Sequence, residues 1–258
     1  MKIGFLDSGL GGLTVLAHAI MHMPGGEFIY YADSDNAPYG SKTPEEVLEL
    51  VLKGVKKLVG EGAGAVVLAC NTATSIAAPT LREIYDIPII GMEPAVKPAI
   101  EISKPLGLRV LVTATPLTCR EKKMQDLLKA LDGEEVVDLV ALPSLVGLAE
   151  GFEFSDEEVI PYLMEQFAGM DPAAYGSVVL GCTHFPYFKK QIQGIFKGAV
   201  LVDGAEGTIR HLQKHVPVPS RDANALKISY FVSGQPVLDP TQIKKYSELM
   251  ARVAANCE

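Results

Sequence analysis

The sequence predicts an α/β protein built from two pseudo-symmetric, doubly wound lobes with mostly parallel sheets. Short apolar runs alternate with helix-period segments along the whole chain. Most of those runs are β-branched and apolar on both faces, as strands covered on both sides must be. A weak repeat relates the two halves. One strand ends in Asp7-Ser8-Gly9 and a later one in Leu68-Ala69-Cys70-Asn71-Thr72; at a similar separation, Thr113-Ala114-Thr115 is followed by Leu180-Gly181-Cys182-Thr183-His184.

In order, Lys2–Leu6 reads as a buried strand and Gly12–Met23 as the helix that follows its glycine-rich turn. Phe28–Tyr31 is an aromatic strand. Pro44–Glu61 is a helix with a plain start: a capping Thr43, proline in the first turn, then Glu45 and Glu46. Ala65–Ala69 and Thr72–Tyr85 form the next strand and helix, followed by Ile87–Ile90 and Pro94–Ser103. The second half repeats the alternation with strands at Leu108–Thr113, Glu135–Ala141, Ser177–Leu180 and Ala199–Val202. Its helices are Arg120–Leu131, Asp156–Ala168, Tyr187–Phe196 and Thr208–His215, and Lys227–Val232 is a late strand.

With 258 residues, 48% of them apolar, the chain can bury a sizeable core. A net charge of −8 without a basic run argues against nucleic-acid binding. No apolar span reaches membrane-crossing length, and the N-terminal residues lack the pattern of a signal peptide, so a cytoplasmic location is expected. Cys70, Cys119, Cys182 and Cys257 lie far apart without a CxxC pair, so reduced thiols are expected rather than a disulfide framework.

Cys70 and Cys182 each fall in a strand-to-helix turn, where open α/β sheets bind ligands beyond the carboxyl ends of strands. Unpaired N–H groups and the partial positive charge there lower a thiol's pKa and hold carboxylate oxygens. Buried cysteine also simply fills space, which is the expectation for Cys119 and Cys257. Asp7-Ser8-Gly9-Leu10-Gly11-Gly12 lacks the GxGxxG spacing and the GK[ST] ending of phosphate loops, and its acid would repel phosphate. It serves either as a site loop or as a tight turn with Asp7 as a cap. The loop Asp33…Pro38-Tyr39-Gly40 either closes over a ligand or is a surface turn. His184 can relay protons for Cys182; one Cys-x-His pair is a weak zinc signal, and no metal is expected. His18, His22, His211 and His215 lie on helical patterns away from strand ends.

Taken together, the Asp7–Gly12 loop, the Pro38-Tyr39-Gly40 loop, Cys70-Asn71-Thr72 and Gly181-Cys182-Thr183-His184 resemble the glutamate racemases, in order and spacing. The likeness extends over Met92-Glu93-Pro94, Thr115-Pro116-Leu117-Thr118 and the late Tyr230-Phe231 strand. It implies a first lobe of residues 1–95 and 205–258, a second of 96–204, and an active site in the cleft between them. It implies a cofactor-independent isomerase in which Cys70 and Cys182 serve opposite faces of the α-carbon of glutamate, Cys70 acting on the D enantiomer and Cys182 on the L. Asp7 would assist Cys70 and His184 would assist Cys182. Ser8, Pro38, Tyr39, Gly40, Asn71, Thr72, Thr115, Thr118 and Thr183 would line the substrate. A homodimer supplying D-glutamate for peptidoglycan completes the expectation. Asn36 stands where relatives carry arginine and Gly147 where they tend to carry proline; Glu150 matches an acid placed near the site. The alternatives are a racemase of aspartate or another amino acid, a Cys182–His184 thiol hydrolase, and a non-enzymatic binding protein.

Overall fold

A computed structural model describes residues 1–217 and 226–255. The expected alternation is present, with ten strands and eleven α-helices among the described residues. In the first half these are β1 Lys2–Asp7, α1 Leu13–His22, β2 Glu27–Ala32, α2 Pro44–Gly60, β3 Ala63–Leu68, α3 Asn71–Ile84 and β4 Ile89–Gly91. There follow α4 Val96–Ser103, β5 Arg109–Ala114, α5 Pro116–Arg120, α6 Lys122–Ala130, β6 Val137–Ala141, α7 Pro143–Glu150, α8 Asp156–Gln166, β7 Tyr175–Leu180, α9 Lys189–Ile195 and β8 Val200–Asp203. The chain ends with α10 Ala205–Leu212, β9 Lys227–Val232, β10 Gln235–Pro236 and α11 Pro240–Ala254.

The chain divides into two compact units, Met1–Glu93 with the described part of Ala205–Glu258, and Pro94–Gly204. The first holds a six-stranded sheet in the order β10-β9-β2-β1-β3-β4, parallel except for the β9–β10 hairpin. The hairpin turns on Ser233 and Gly234, both at positive φ, the conformation a two-residue turn needs to match strand twist. The second unit holds a four-stranded parallel sheet, β6-β5-β7-β8. Apolar residues from one face of the inner strands build each of two clusters: Leu6, Val66 and Leu68 pack against α2 and α3 in the first unit, Val110, Val112 and Val179 against α4 and α6 in the second.

The inner strands of both sheets therefore follow one pattern, with β1 and β5, β2 and β6, β3 and β7, β4 and β8 as counterparts. Register corrects the repeat by one residue. Leu6 pairs with Leu68 and Thr113 with Leu180, so the counterpart of Asp7 is Ala114 and that of Ser8 is Thr115.

Four elements escaped the sequence reading: α5, α7, α11 and β10. For α11 the signal was present, since Asp239 caps it by accepting from Thr241 N at 2.9 Å and Pro240 takes the first turn. The expected helix Tyr187–Phe196 is a 3-10 turn, Phe185–Phe188, followed by α9. At Thr43, capping is reciprocal: its hydroxyl accepts from Glu46 N at 3.3 Å and its own N–H donates to Glu46 Oε2 at 2.9 Å.

Candidate active site

Each unit carries its thiol at the same place. β1 and β3 are adjacent, yet their chain connections leave toward opposite sides of the sheet, and β5 and β7 repeat this arrangement. Such switch points open a crevice at the strands' carboxyl ends. Cys70 follows β3 and Cys182 follows β7, each two residues beyond the last paired leucine.

In the first unit, Ala69 N donates to Leu6 O at 2.8 Å, continuing the ladder past the strand. Cys70 then caps α3, its Sγ accepting from Ala73 N at 3.5 Å. A fourteen-residue helix thus begins at a thiol 6% exposed, where the helix dipole acts on the sulfur against the cost of its burial. Asp7 is fully buried in the adjacent turn, its Oδ2 accepting from Gly9 N at 3.2 Å and Gly12 N at 3.0 Å. Asp7 thus does cap its own turn. A Cβ on Gly12 would lie 2.7 Å from Asp7 Cβ, so the turn requires glycine there.

The loop after β2 packs against the same end. Tyr39 is buried and donates to Asp33 Oδ2 at 2.7 Å; Asn36 donates to Asp33 Oδ1 at 3.0 Å. Burial and the Asp33 carboxylate, with smaller contributions from Cys70 and Asp7, hold the Tyr39 phenol far above its ordinary pKa. It is therefore a fixed neutral donor to Asp33 rather than a proton-transfer group. Gly40 is buried beside it while Pro38 is exposed. Ser8 and Thr72 are buried too, and both amide atoms of Asn71 are buried without a hydrogen-bond partner in the protein. A buried amide left unpaired costs free energy unless a ligand satisfies it.

In the second unit, Gly181 N donates to Thr113 O at 2.7 Å. A Cβ on Gly181 would stand 2.6 Å from that carbonyl, so only glycine lets β7 run this close before Cys182. Thr115 caps α5 by accepting from Thr118 N at 3.2 Å and donates its hydroxyl proton to Thr118 Oγ1 at 3.0 Å. Cys182 Sγ lies 3.6 Å from His184 Nδ1, and His184 Nε2 lies 2.6 Å from Glu150 Oε1. Burial alone would push the imidazole pKa down; hydrogen bonds and charge from Cys182 and Glu150 override it and hold His184 well above its ordinary value. His184 is thereby favoured in its protonated form, set between the Cys182 sulfur and the Glu150 carboxyl. Thr183 is buried beside them.

The structure thus gathers Asp7, Ser8, Tyr39, Gly40, Cys70, Asn71 and Thr72 at one sheet end of the first unit, and Thr115, Thr118, Cys182, Thr183 and His184 at that of the second. The sequence reading missed Asp33 as the anchor of Tyr39, although it quoted the loop, and reached Glu150 only through the resemblance. Among the other thiols, burial pushes Cys119 up to about 11, as an inert thiol would be; Cys257 lies outside the described residues. Among the described residues, no three His, Cys, Asp or Glu side chains converge to hold a metal ion, and no helix is long and apolar enough to cross a membrane.

The family model for Asp/Glu/Hydantoin racemase matches residues 14–212. A glutamate racemase from Halothermothrix orenii is 44% identical over 98% of this chain and 100% of its own. Among solved structures, a glutamate racemase isoform from Bacillus anthracis superposes with a TM-score of 0.80 at 27% identity, over 98% of this chain and 94% of that one. The Escherichia coli glutamate racemase, solved with L-glutamate and an activator, gives 0.77 at 26% identity over 95% and 94% of the two chains.

Proposed function

The chain belongs to the Asp/Glu/Hydantoin racemase family, and from that premise we propose that it is a glutamate racemase working by two-thiol proton transfer. The observation that carries this is the equivalence of Cys70 and Cys182, buried thiols at the matching switch points of two like-wound sheets, each with its own acid–base escort. The choice of glutamate rests on full-length relatives of that activity and on L-glutamate bound to the Escherichia coli protein.

From the L side, the Cys182 thiolate, paired with the His184 imidazolium, removes the α-proton. The Cys70 thiol delivers its own proton to the opposite face, leaving D-glutamate and exchanging the two sulfurs' protonation states. From the D side the roles reverse. A carbon acid this weak needs more than thiolates. The Asn71 amide, together with the hydroxyls of Ser8, Thr72, Thr115, Thr118 and Thr183, supplies polar groups to hold the substrate's charged groups as the carbanion forms. Asp7 orders the turn beside Cys70 and places a carboxylate there for proton traffic. The escorts differ because Asp7 has Ala114 as its counterpart, so the second thiol draws on His184 and Glu150 instead.

The protein is proposed to act in the cytoplasm as a homodimer without added cofactor, its D-glutamate destined for peptidoglycan; light scattering of the purified chain checks the dimer. The deciding experiment is racemisation of L-glutamate in D2O, without added cofactor, for wild type, Cys70→Ser and Cys182→Ser. Solvent deuterium at Cα in wild type, with a loss of about 10²–10⁴-fold in both variants, supports the two-thiol route. Inert glutamate alongside a racemising aspartate would overturn the substrate and keep the mechanism.

The Cys182–His184–Glu150 relay also suits a cysteine nucleophile passing through a thioester. Such a hydrolase would retain activity in Cys70→Ser and show an acyl adduct on Cys182 by mass.

A further inference from the structure

Thr74 lies one turn into α3, 2% exposed, and neither the catalytic scheme nor the residues lining the substrate include it. Its hydroxyl donates to Leu68 O at 3.1 Å and accepts from Met92 N at 3.0 Å. Leu68 is the last residue of β3 and Met92 the first after β4. One side chain therefore ties the start of the helix to the ends of two strands. The fit is close on the methyl side as well: a Cβ on Gly91 would lie 2.5 Å from Thr74 Cγ2. Thr74 N donates to Cys70 O at 2.9 Å, closing the first turn, and the neighbouring Ala73 N is the group that donates to Cys70 Sγ.

We propose that Thr74 is a positioning residue that fixes the first turn of α3 so that its N–H groups face the Cys70 sulfur. A helix N-terminus stabilises a thiolate only while those dipoles are aimed at it, and the effect fades within one turn. The 3.5 Å contact between Ala73 N and Cys70 Sγ depends on the direction of the N–H as well as on its length, so a tilt of the turn weakens it. Without the hydroxyl, Met92 N keeps a second acceptor, Leu68 O at 3.3 Å, so the strands stay joined while the helix start is released. The consequence falls on one thiol. Cys182 belongs to the other unit and serves as an internal control.

The test is the rate of alkylation by iodoacetamide, followed against pH and resolved for Cys70 and Cys182 by peptide mass spectrometry. In Thr74→Val, which keeps the buried shape, the Cys70 midpoint moves up by about one pH unit, a rate loss of about tenfold near neutral pH, while the Cys182 profile stays put. Thr74→Ser restores the wild-type profile. Should Thr74→Val not fold, Gly91→Ala pushes the Thr74 methyl from the opposite side and is expected to slow Cys70 in the same selective way. Parallel changes in both thiols, no change in Cys70, or failure of serine to rescue would overturn the proposal. It rests on the racemase reading for its consequence in turnover, a fall in kcat with little change in KM. Alkylation needs no substrate, so a selective Cys70 shift in a protein inert toward glutamate would refute that reading and leave the positioning role standing.

Discussion

Glu150 Oε1 stands 2.6 Å from His184 Nε2, and the opposite nitrogen of the same ring lies 3.6 Å from Cys182 Sγ. A carboxylate at the end of α7 thereby sets the charge of a histidine that follows β7, far along the chain. Removing that charge while keeping the shape isolates its role. In Glu150→Gln the His184 pKa falls, because one of the two anions holding it up is gone. The alkaline limb of the rate with L-glutamate is expected to move to lower pH, with a loss of about tenfold or more at pH 8. A pH–rate profile for both enantiomers checks this; an unmoved limb would remove Glu150 from the relay.

On the proposed reading, Asn71 trades stability for recognition. Its amide is buried with neither end paired in the protein, so Asn71→Leu, close in size, is expected to leave stability unchanged or raise it by about 1 kcal/mol. The same change is expected to raise the KM for glutamate about tenfold or more, since a substrate group loses its partner. Urea unfolding and initial rates, measured on one preparation, read the two effects.

Gly147 occupies the interior of α7, where an added Cβ meets nothing within 4 Å. Gly147→Ala is expected to gain about 0.5–1 kcal/mol through helix propensity and a less flexible unfolded chain. Thermal unfolding should shift upward by about 2–4 °C per kcal/mol gained. The rate should hold, because the added methyl meets nothing within 4 Å and so leaves α7 and its Glu150 in place; a stabilised but slow variant would show that α7 must flex.

At the opposite end of the second sheet, Arg109 Nε and Nη2 grip both oxygens of Asp138 at 2.7 Å, and Tyr175 adds a bond at 2.8 Å. The Arg109 hydrogen bonds, opposed by partial burial and helped by Tyr175, hold the Asp138 carboxyl below its ordinary value. A carboxyl lowered by folding stabilises above its unfolded pKa, and that stability is lost as pH falls through the folded one. The stability gap between wild type and Asp138→Asn is therefore expected to be about 0.5–1 kcal/mol near neutral pH and to shrink below pH 3.8. Urea midpoints at pH 7 and pH 3 test it; a gap that does not shrink means the pairing is not ionic.

Local chemistry was legible from the chain itself. Period and β-branching marked the main strands, Thr43 and Glu46 announced α2, and two thiols after apolar runs pointed to two turns at strand ends. These signals survive because each depends on neighbours in sequence. Short elements such as α5 and β10 were lost because a few residues carry little periodicity. Only the folded sheets decided what depends on pairing across distance. Register between β1 and β3, and between β5 and β7, made Ala114 rather than Thr115 the counterpart of Asp7, since one residue of slip reverses every side chain. Packing then brought Glu150 to His184, Tyr39 to Asp33 and Thr74 to Met92, contacts whose energy comes from burial that no linear spacing encodes.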